Sequence, residues 1–318
     1  MGFSSGYLHH QVANQNATPL TGSPFHFADT LIYTSHKSTR DQELSISSFF
    51  VITKQAIMDM PLATRSPAYP WALTGIFAAF HLVVSLLPYT PAGAGLITWG
   101  MVSAALIGLI LGPLYGVISV GIGSVLTMIA FPSVAVISIF TPLAPMAGAL
   151  TAGALVTRRP WIVYGLFGLT ILLFVVGPIG LAARGFLWLH YATLVFSFFY
   201  AIPGISGKLR NGLALSNGTS IAVVGLAYWF TGFCALMADS LVGSALWQYY
   251  AISIGYDVAT LGGIYIAIMF VYPVERGLAS IVLAVIAIAT GRAMASAHLG
   301  LPLVGHRAEE QVKLLRTE

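Results

Sequence analysis

Long apolar runs, separated by short polar or proline-containing breaks, dominate the chain from residue 70 onwards. A helix needs about 20 mainly apolar residues to cross a hydrocarbon core of about 30 Å. The runs predict eight membrane-embedded helical segments: 71–87, 95–111, 114–131, 134–156, 161–181, 186–202, 221–238 and 264–290. Pro273 lies inside the last segment and predicts a broken or re-entrant helix there. The less apolar stretch 239–263 predicts an extended loop or a half-helix.

Polar ends flank this apolar region and divide the chain into three parts. Residues 1–69 are rich in Ser, Thr, His and Asn and predict a polar N-terminal extension, largely flexible or a docking arm. Residues 70–303 form the predicted transmembrane helical domain, and residues 304–318 a cytoplasmic C-terminal tail. We therefore expect an all-α polytopic integral membrane protein, a helical bundle of about eight transmembrane segments, or six to eight if a short segment does not cross.

Composition agrees with a membrane location. Of the 318 residues, 57% are hydrophobic and only 8% are charged, with a mean hydropathy of +0.86. A soluble domain carries about 25% charged residues. Between Arg65 and Arg158 the chain has no Asp, Glu, Lys or Arg, so this stretch lacks the charged face of a soluble core.

Positive charges predict the orientation of the chain. With eight crossings and a cytoplasmic N-terminus, Arg184 is the one basic residue after residue 70 that falls in an outside loop. The loop and C-terminal residues that fall inside are Arg158, Arg159, Lys208, Arg210, Arg292, Arg307, Lys313 and Arg316. This asymmetry follows the positive-inside rule and predicts a multi-pass plasma-membrane protein with both termini in the cytoplasm. Membrane orientation explains the pI of about 9.2 better than nucleic-acid binding does.

Ionisable residues inside apolar segments are the first functional candidates, because a bilayer makes them costly. Asp239, Glu275 and Arg276 are of this kind, together with His81 and His190. Neighbouring helical residues point about 100° apart, so Glu275 and Arg276 need other partners. Asp239 is a sensible partner for Arg276. The alternative is that Glu275 and Arg276 lie at a helix end and snorkel to the interface.

Aromatic residues follow the first of these charges along the chain. Trp247, Gln248 and Tyr249 are typical either of an aromatic belt at the membrane surface or of a pocket that stacks a flat ligand. The substrate-binding residues that we predict are Asp239, Trp247, Gln248, Tyr249, Glu275 and Arg276.

Motifs for catalysis and for metal binding do not occur in the sequence. GxxxxGK[ST], HExxH, CxxC and Gly-x-Ser-x-Gly are all missing. We therefore expect no enzymatic activity, no metal site and no cofactor.

Small residues at four-residue spacing occur in the early segments. Gly75 and Ala79 have this spacing in the first segment, and Gly112 and Gly116 have it further on. Such residues let helix backbones approach closely. The pattern predicts either ordinary internal packing or a docking face for another membrane subunit.

The stretch 105–128 resembles the substrate-binding S component of energy-coupling factor (ECF) transporters. In that family a helix ends in a Gly-Pro turn and a glycine-rich helix follows, as at Gly112, Pro113 and Gly116 here. Residues 71–88 are similar to the family's first helix, whose small residues face the transmembrane coupling subunit. The resemblance covers residues 70–157. The partner-facing residues that it implies are Gly75, Ala78, Ala79, Gly112, Pro113 and Gly116.

The resemblance implies capture of a small, vitamin-like nutrient, with uptake driven by separate ATPase subunits through a shared coupling protein. Two departures bear on it: family members are usually shorter with fewer spans, and the chain lacks the Met-His start of the cobalt and nickel versions. The second departure disfavours a metal ion as substrate. The alternative function is an accessory structural subunit of a larger membrane complex, with the polar extension as a docking arm that orders on assembly. An intramembrane enzyme using Asp239 and Glu275 is the least favoured hypothesis.

Overall fold

The computed structural model describes residues 68–92, 95–215 and 218–296. The predicted C-terminal tail 304–318 and residues 1–67 of the predicted extension lie outside them. The described chain is helical apart from one antiparallel hairpin, β1 (Pro88–Ala92) with β2 (Gly95–Thr98). Its α-helices are α1 (Tyr69–Ser85), α2 (Gly100–Ala130), α3 (Leu143–Val156), α4 (Pro160–Val175), α5 (Trp188–Ser197), α6 (Pro203–Leu213), α7 (Ile221–Ser253), α8 (Val258–Ile268) and α9 (Val271–Ser296).

Several helical stretches have the length and apolar composition of membrane spans. In the described part of the chain there are four: Gly100–Ala130, Ser138–Val156, Ile221–Ser253 and Val271–Met294. A fifth is obtained if Arg184–Tyr200 and Pro203–Leu213, which meet at 90°, form one span. Helices α1, α4 and α8 are apolar but shorter. The helical class predicted from the sequence therefore agrees with the structure, and the number of crossings stays a prediction.

Large apolar side chains cover the outside of the bundle. Ile76 on α1 is 64% exposed, Leu169 on α4 69% and Val285 on α9 64%. In water, each Å² of such surface is unfavourable by about 25 cal/mol relative to burial, whereas lipid tails are as apolar as these side chains. This exterior is the one expected of a membrane-embedded protein.

Helix α2 consists of two halves that fold back on each other at Gly112. Gly112 has φ 78° and ψ −177°, values that glycine adopts without a Cβ clash. Pro113 opens the second half, where its missing N–H breaks no helical bond. A Cβ on Gly116 would lie 3.0 Å from the Cα of Gly108, although these positions are about 12 Å apart along a straight helix. The chain therefore reverses at the Gly-Pro turn.

The first half of α2, residues 100–112, is buried along its whole length. Its packing against α3 depends on glycine. A Cβ on Gly108 would lie 2.2 Å from the carbonyl oxygen of Ala149, and a Cβ on Gly153 would lie 2.4 Å from the nitrogen of Pro113. The backbones of α2 and α3 are thus in direct contact at two levels, which leaves no room for larger residues.

Neighbouring contacts define two ends of the bundle. Gly148 of α3 lies against Asp239 of α7, and Ala144 lies against Gly243, so α3 and α7 are antiparallel. We call the end formed by the α2–α3 and α7–α8 connections the cavity end. The opposite end, formed by the α3–α4 connection and α6, is the basic end.

The structure differs from the sequence prediction for residues 239–263, which are helical for most of their length. Helix α7 continues without a break through Asp239 to Ser253, because no proline interrupts it and the one carboxylate lies at a cavity rather than in lipid. The predicted interruption of the last segment is present, but it precedes Pro273. Helix α8 ends at Ile268 and α9 begins at Val271, so the proline lies in the first turn of α9, where it is tolerated.

Candidate functional site

A cavity of about 300 Å³ lies at the cavity end, between α1, both halves of α2, α3, α7, α8 and α9. This volume is at the lower end of the range for small-molecule sites, about 300–1,000 Å³. Its polar wall contains His81, Ser85, Ser124, Thr127, Asp239, Ser240, Glu275 and Arg276. Its remaining wall is mainly apolar and aromatic, as is usual for pockets that bind organic ligands.

Three charged residues predicted from the sequence meet at this cavity. Asp239 comes from the middle of α7, and Glu275 and Arg276 come from the first turns of α9. Asp239 is half-buried, whereas Glu275 is 9% and Arg276 5% exposed. The contact between α7 and α9 therefore brings together charges that are far apart along the chain.

The guanidinium of Arg276 has weak partners for a buried cation. One terminal nitrogen contacts the sulfur of Met101, and the group lies 5.1 Å from the ring centre of Tyr272. Its Nε is buried without a hydrogen-bond partner. Arg276 acts electrostatically on Asp239, but no hydrogen bond joins these two described residues. The predicted partners are thus neighbours, and the cation retains donors for a ligand.

His81 joins α1 to both halves of α2 at one side of the cavity. Its Nδ1 is hydrogen-bonded to the hydroxyl of Ser103 at 2.7 Å, and its Nε2 to that of Ser124 at 3.0 Å. The ring is buried, and a Cβ on Gly123 would lie 2.6 Å from the carbonyl oxygen of Ala78. The close contact between α1 and α2 at Gly123 therefore places one imidazole within hydrogen-bond distance of both serine hydroxyls.

We expect His81→Phe to lower the free energy of unfolding by about 2–4 kcal/mol, because the hydroxyls of Ser103 and Ser124 lose their histidine partner inside the protein. Thermal unfolding of the detergent-purified protein measures this loss. Thr290→Val is the matched control, since the Thr290 hydroxyl is exposed and bonds only its own helix. Equal melting temperatures for the two variants would contradict the bridging role of His81.

Of the predicted aromatic group, the structure places Trp247 at the cavity and the next two residues elsewhere. The Gln248 amide donates to the carbonyl of Phe174 at 3.2 Å and accepts from the N–H of Ile179 at 3.3 Å. The Tyr249 hydroxyl donates to the carbonyl of Leu173 at 2.9 Å. Gln248 and Tyr249 therefore fasten α7 to the end of α4, and neither lines the cavity.

The predicted partner-facing residues also separate into two groups. Gly75 and Ala79 are exposed on α1, and a Cβ on Gly75 would meet nothing within 4 Å. The others take part in the chain's own packing: Ala78, Gly112, Pro113 and Gly116. Only Gly75 and Ala79 of this set are therefore available to a second protein in this conformation.

Several features of the site are absent from the sequence predictions. Ser103 and Ser124, which bond His81, lie on either side of the Gly112 turn at comparable distances along the chain. A helical hairpin at Gly112 would bring them to the same level, so the turn was the sequence signal for this pair. Tyr265 and Tyr272 also line the cavity. His190, one of the ionisable candidates from the sequence, is fully buried beside Phe186, with ring centres 5.2 Å apart.

No protein-family model, no curated protein and no solved structure matches this chain. Within the described ranges, no group of three or more His, Cys, Asp or Glu side chains could hold a metal ion. The cavity itself is therefore the feature that points to a function: it combines charges of both signs with an aromatic and apolar wall inside a bundle of apolar helices.

Proposed function

We propose that the chain is the membrane-embedded subunit that captures a small water-soluble nutrient for uptake. The observation that supports the proposal is the cavity, which holds Asp239 and Arg276 between helices that are otherwise apolar. Placing a charge in such surroundings costs several kcal/mol, and a bound ligand that pairs with it offsets part of that cost. Separate ATPase subunits drive uptake through a coupling protein, as the resemblance to S components implies.

The cavity favours an organic ligand that carries an anionic group and a hydrogen-bond donor. The planar fork of Arg276 suits a carboxylate or a phosphate, and the carboxylate of Asp239 accepts from an amine or amide. Trp247, Tyr265 and Tyr272 offer ring surface to the rest of the ligand. The volume of about 300 Å³ restricts the ligand to roughly the size of a vitamin or its precursor.

The charge distribution favours an outward-facing cavity. Arg158, Arg159, Lys208 and Arg210 lie at the basic end, together with Arg292 near the end of α9. Arg184 lies towards the cavity end, at the start of the short 3-10 helix Arg184–Leu187 that precedes α5. By the positive-inside rule the basic end faces the cytoplasm, so the cavity opens towards the nutrient supply.

The proposal keeps the eight predicted membrane passes, which correspond to α1, the two halves of α2, α3, α4, α5, α7 and α9. The buried first half of α2 is about 18 Å long, which is shorter than a bilayer core. Such a segment is tolerated because protein surrounds it. Both ends of α2 lie on the same side whether or not the hairpin crosses fully, so the orientation is the same for six passes and for eight.

Cysteine labelling tests the orientation. In a Cys234→Ala background, we expect Ile254→Cys to react with a membrane-impermeant maleimide in intact cells, and Lys208→Cys to react only after permeabilisation. Both positions are exposed, Ile254 after α7 and Lys208 on α6, whereas the native Cys234 is buried. The reverse labelling pattern would invert the orientation and place the cavity on the cytoplasmic side.

A second candidate function is an accessory structural subunit of a membrane complex. The exposed Gly75 and Ala79 on α1 favour it, since small residues on an outer helix face allow another membrane helix to approach closely. The same face would serve a coupling subunit, so the contact alone does not separate the two functions.

Copurification distinguishes the nutrient-capture function from the accessory-subunit function. The tagged chain is extracted in a gentle detergent, and the proteins that accompany it are identified by mass spectrometry. We expect a coupling protein and ATPases in the wild type, and their loss from Ala79→Trp, which fills the exposed face of α1. A stable assembly without ATPases would contradict the transport proposal and support the accessory subunit.

A further inference from the structure

A second cavity, of about 250 Å³, lies at the basic end, far from the first. It is formed where α3 ends, α4 begins and α5 turns into α6, and its polar wall contains Arg158, Ser206 and Arg210. Two of the described residues that line it are basic, and none is acidic. The nutrient-capture proposal makes no use of this cavity.

Arg210 is held in place before any ligand arrives. Its Nε donates to the carbonyl of Ser206 at 2.8 Å, and one terminal nitrogen donates to the Ser206 hydroxyl at 2.6 Å. Both bonds are made one turn back along α6, so the side chain lies against the helix with Ser206 at the cavity wall. A guanidinium fixed in this way loses little conformational freedom on binding an anion.

Arg158 reaches the same cavity from a strained backbone. Its φ of 64° places it in the left-handed region, which a non-glycine residue adopts at a cost of about 1 kcal/mol or more. The reversal from α3 to α4 is closed by a bond from the N–H of Arg159 to the carbonyl of Ala154 at 2.8 Å. The tight turn therefore fixes the position of Arg158 at the cavity wall opposite α6.

The surroundings of this cavity are those of a bilayer surface. Exposed apolar side chains lie next in sequence to residues that line it: Trp161 at the start of α4, Ile202 directly before α6 and Ile205 in the first turn of α6. Helix α6 meets the preceding helical segment at 90°, so it lies across the end of the bundle rather than along it. Tryptophan beside basic residues is typical of the level of the lipid headgroups.

We propose that this cavity binds a phosphate group through Arg158 and Arg210. Two arginines suit a phosphate better than a carboxylate, because a phosphate group has more acceptor oxygens to share between two guanidinium groups. The phosphate comes either from an anionic lipid of the adjacent leaflet, whose acyl chains then lie along Trp161 and Ile205, or from a free phosphate compound. Basic pockets between helices at a membrane surface bind lipid headgroups in this way.

The test uses the purified full chain in detergent and three probes: dioctanoyl phosphatidylglycerol, dioctanoyl phosphatidylcholine and inorganic phosphate. Affinities are read from ligand-dependent thermal stabilisation. We expect phosphatidylglycerol to bind the wild type, and the variants Arg210→Gln and Arg158→Gln each to bind it about tenfold more weakly. The matched control Lys208→Gln removes an exposed charge of α6 outside the cavity and is expected to bind as the wild type does.

The probes also distinguish the two sources of phosphate. Binding of phosphatidylglycerol in preference to phosphatidylcholine, without binding of inorganic phosphate, assigns the site to an anionic lipid. Equal affinity for phosphatidylglycerol and inorganic phosphate assigns it to a free phosphate compound. Equal affinity of the wild type for phosphatidylglycerol and phosphatidylcholine, with no binding of inorganic phosphate, would overturn the proposal. So would equal losses in Lys208→Gln and Arg210→Gln. The comparison of phosphatidylglycerol with phosphatidylcholine on the wild-type protein tests the proposal even if a variant fails to fold.

Discussion

Gly108→Ala is expected to prevent accumulation of the folded protein, although it adds a single methyl group. A Cβ at this position would lie 2.2 Å from the backbone carbonyl oxygen of Ala149, which is far inside van der Waals contact. The first half of α2 is enclosed on all sides, so neither helix has space to move away. Overpacking against side chains costs about 1–3 kcal/mol, and a clash with backbone costs more. Size-exclusion chromatography of detergent extracts measures the folded fraction.

Gly75→Ala is the matched control for this prediction. Gly75 lies on the exposed face of α1, and a Cβ there would meet nothing within 4 Å. Because alanine is favoured over glycine inside a helix by about 0.5–1 kcal/mol, we expect this variant to be as stable as the wild type or slightly more stable. A Gly108→Ala protein with wild-type yield and melting temperature would contradict the contact between α2 and α3.

Asp239→Asn and Arg276→Gln are expected to weaken ligand binding about 100-fold each. Truncating one partner of a buried charge pair costs about 2–5 kcal/mol of binding free energy, and 1.4 kcal/mol is a factor of about ten. Asp239→Asn keeps the shape of the side chain, and Arg276→Gln shortens it and adds no bulk, so neither change blocks the cavity. Calorimetric titration with the compound that copurifies with the wild type gives the two dissociation constants.

The control for binding is Tyr249→Phe, two residues beyond Trp247. Tyr249 donates to the carbonyl of Leu173, outside the cavity. We expect its variant to bind the ligand within about twofold of the wild type, because no ligand contact is lost. If Tyr249→Phe weakened binding as much as Arg276→Gln, the ligand would lie outside the cavity.

The sequence was sufficient to predict the elements whose physical cause is local. Apolar runs of helical length appear in the structure as helices, and the Gly112-Pro113 turn is a reversal because those two residues have unusual backbone requirements. The few charges inside apolar stretches also pointed to the cavity. A buried charge is rare enough in a membrane that its position carries information without any knowledge of the fold.

The parts that failed depend on helix register and on tertiary contacts. On a continuous helix Asp239, Gly243 and Trp247 share one face at four-residue spacing, whereas Gln248 and Tyr249 point elsewhere. From the sequence a loop was predicted after Ala238, and a loop has no helical periodicity. Residues 247–249 were therefore predicted to bind the ligand as one group, although the helix places only Trp247 at the cavity. The serines around His81 were not assigned either, because they lie on opposite halves of α2 and meet only where the chain folds back at Gly112.

The proposed function requires that the cavity end of this chain capture a small polar nutrient through Asp239 and Arg276. Native mass spectrometry of the wild type and of Asp239→Asn, purified in parallel, tests it most directly. We expect one small organic compound on the wild type, released on denaturation, and its loss from the variant at unchanged folded yield. The same compound on both proteins, or none on the wild type purified from nutrient-fed cells, would contradict it.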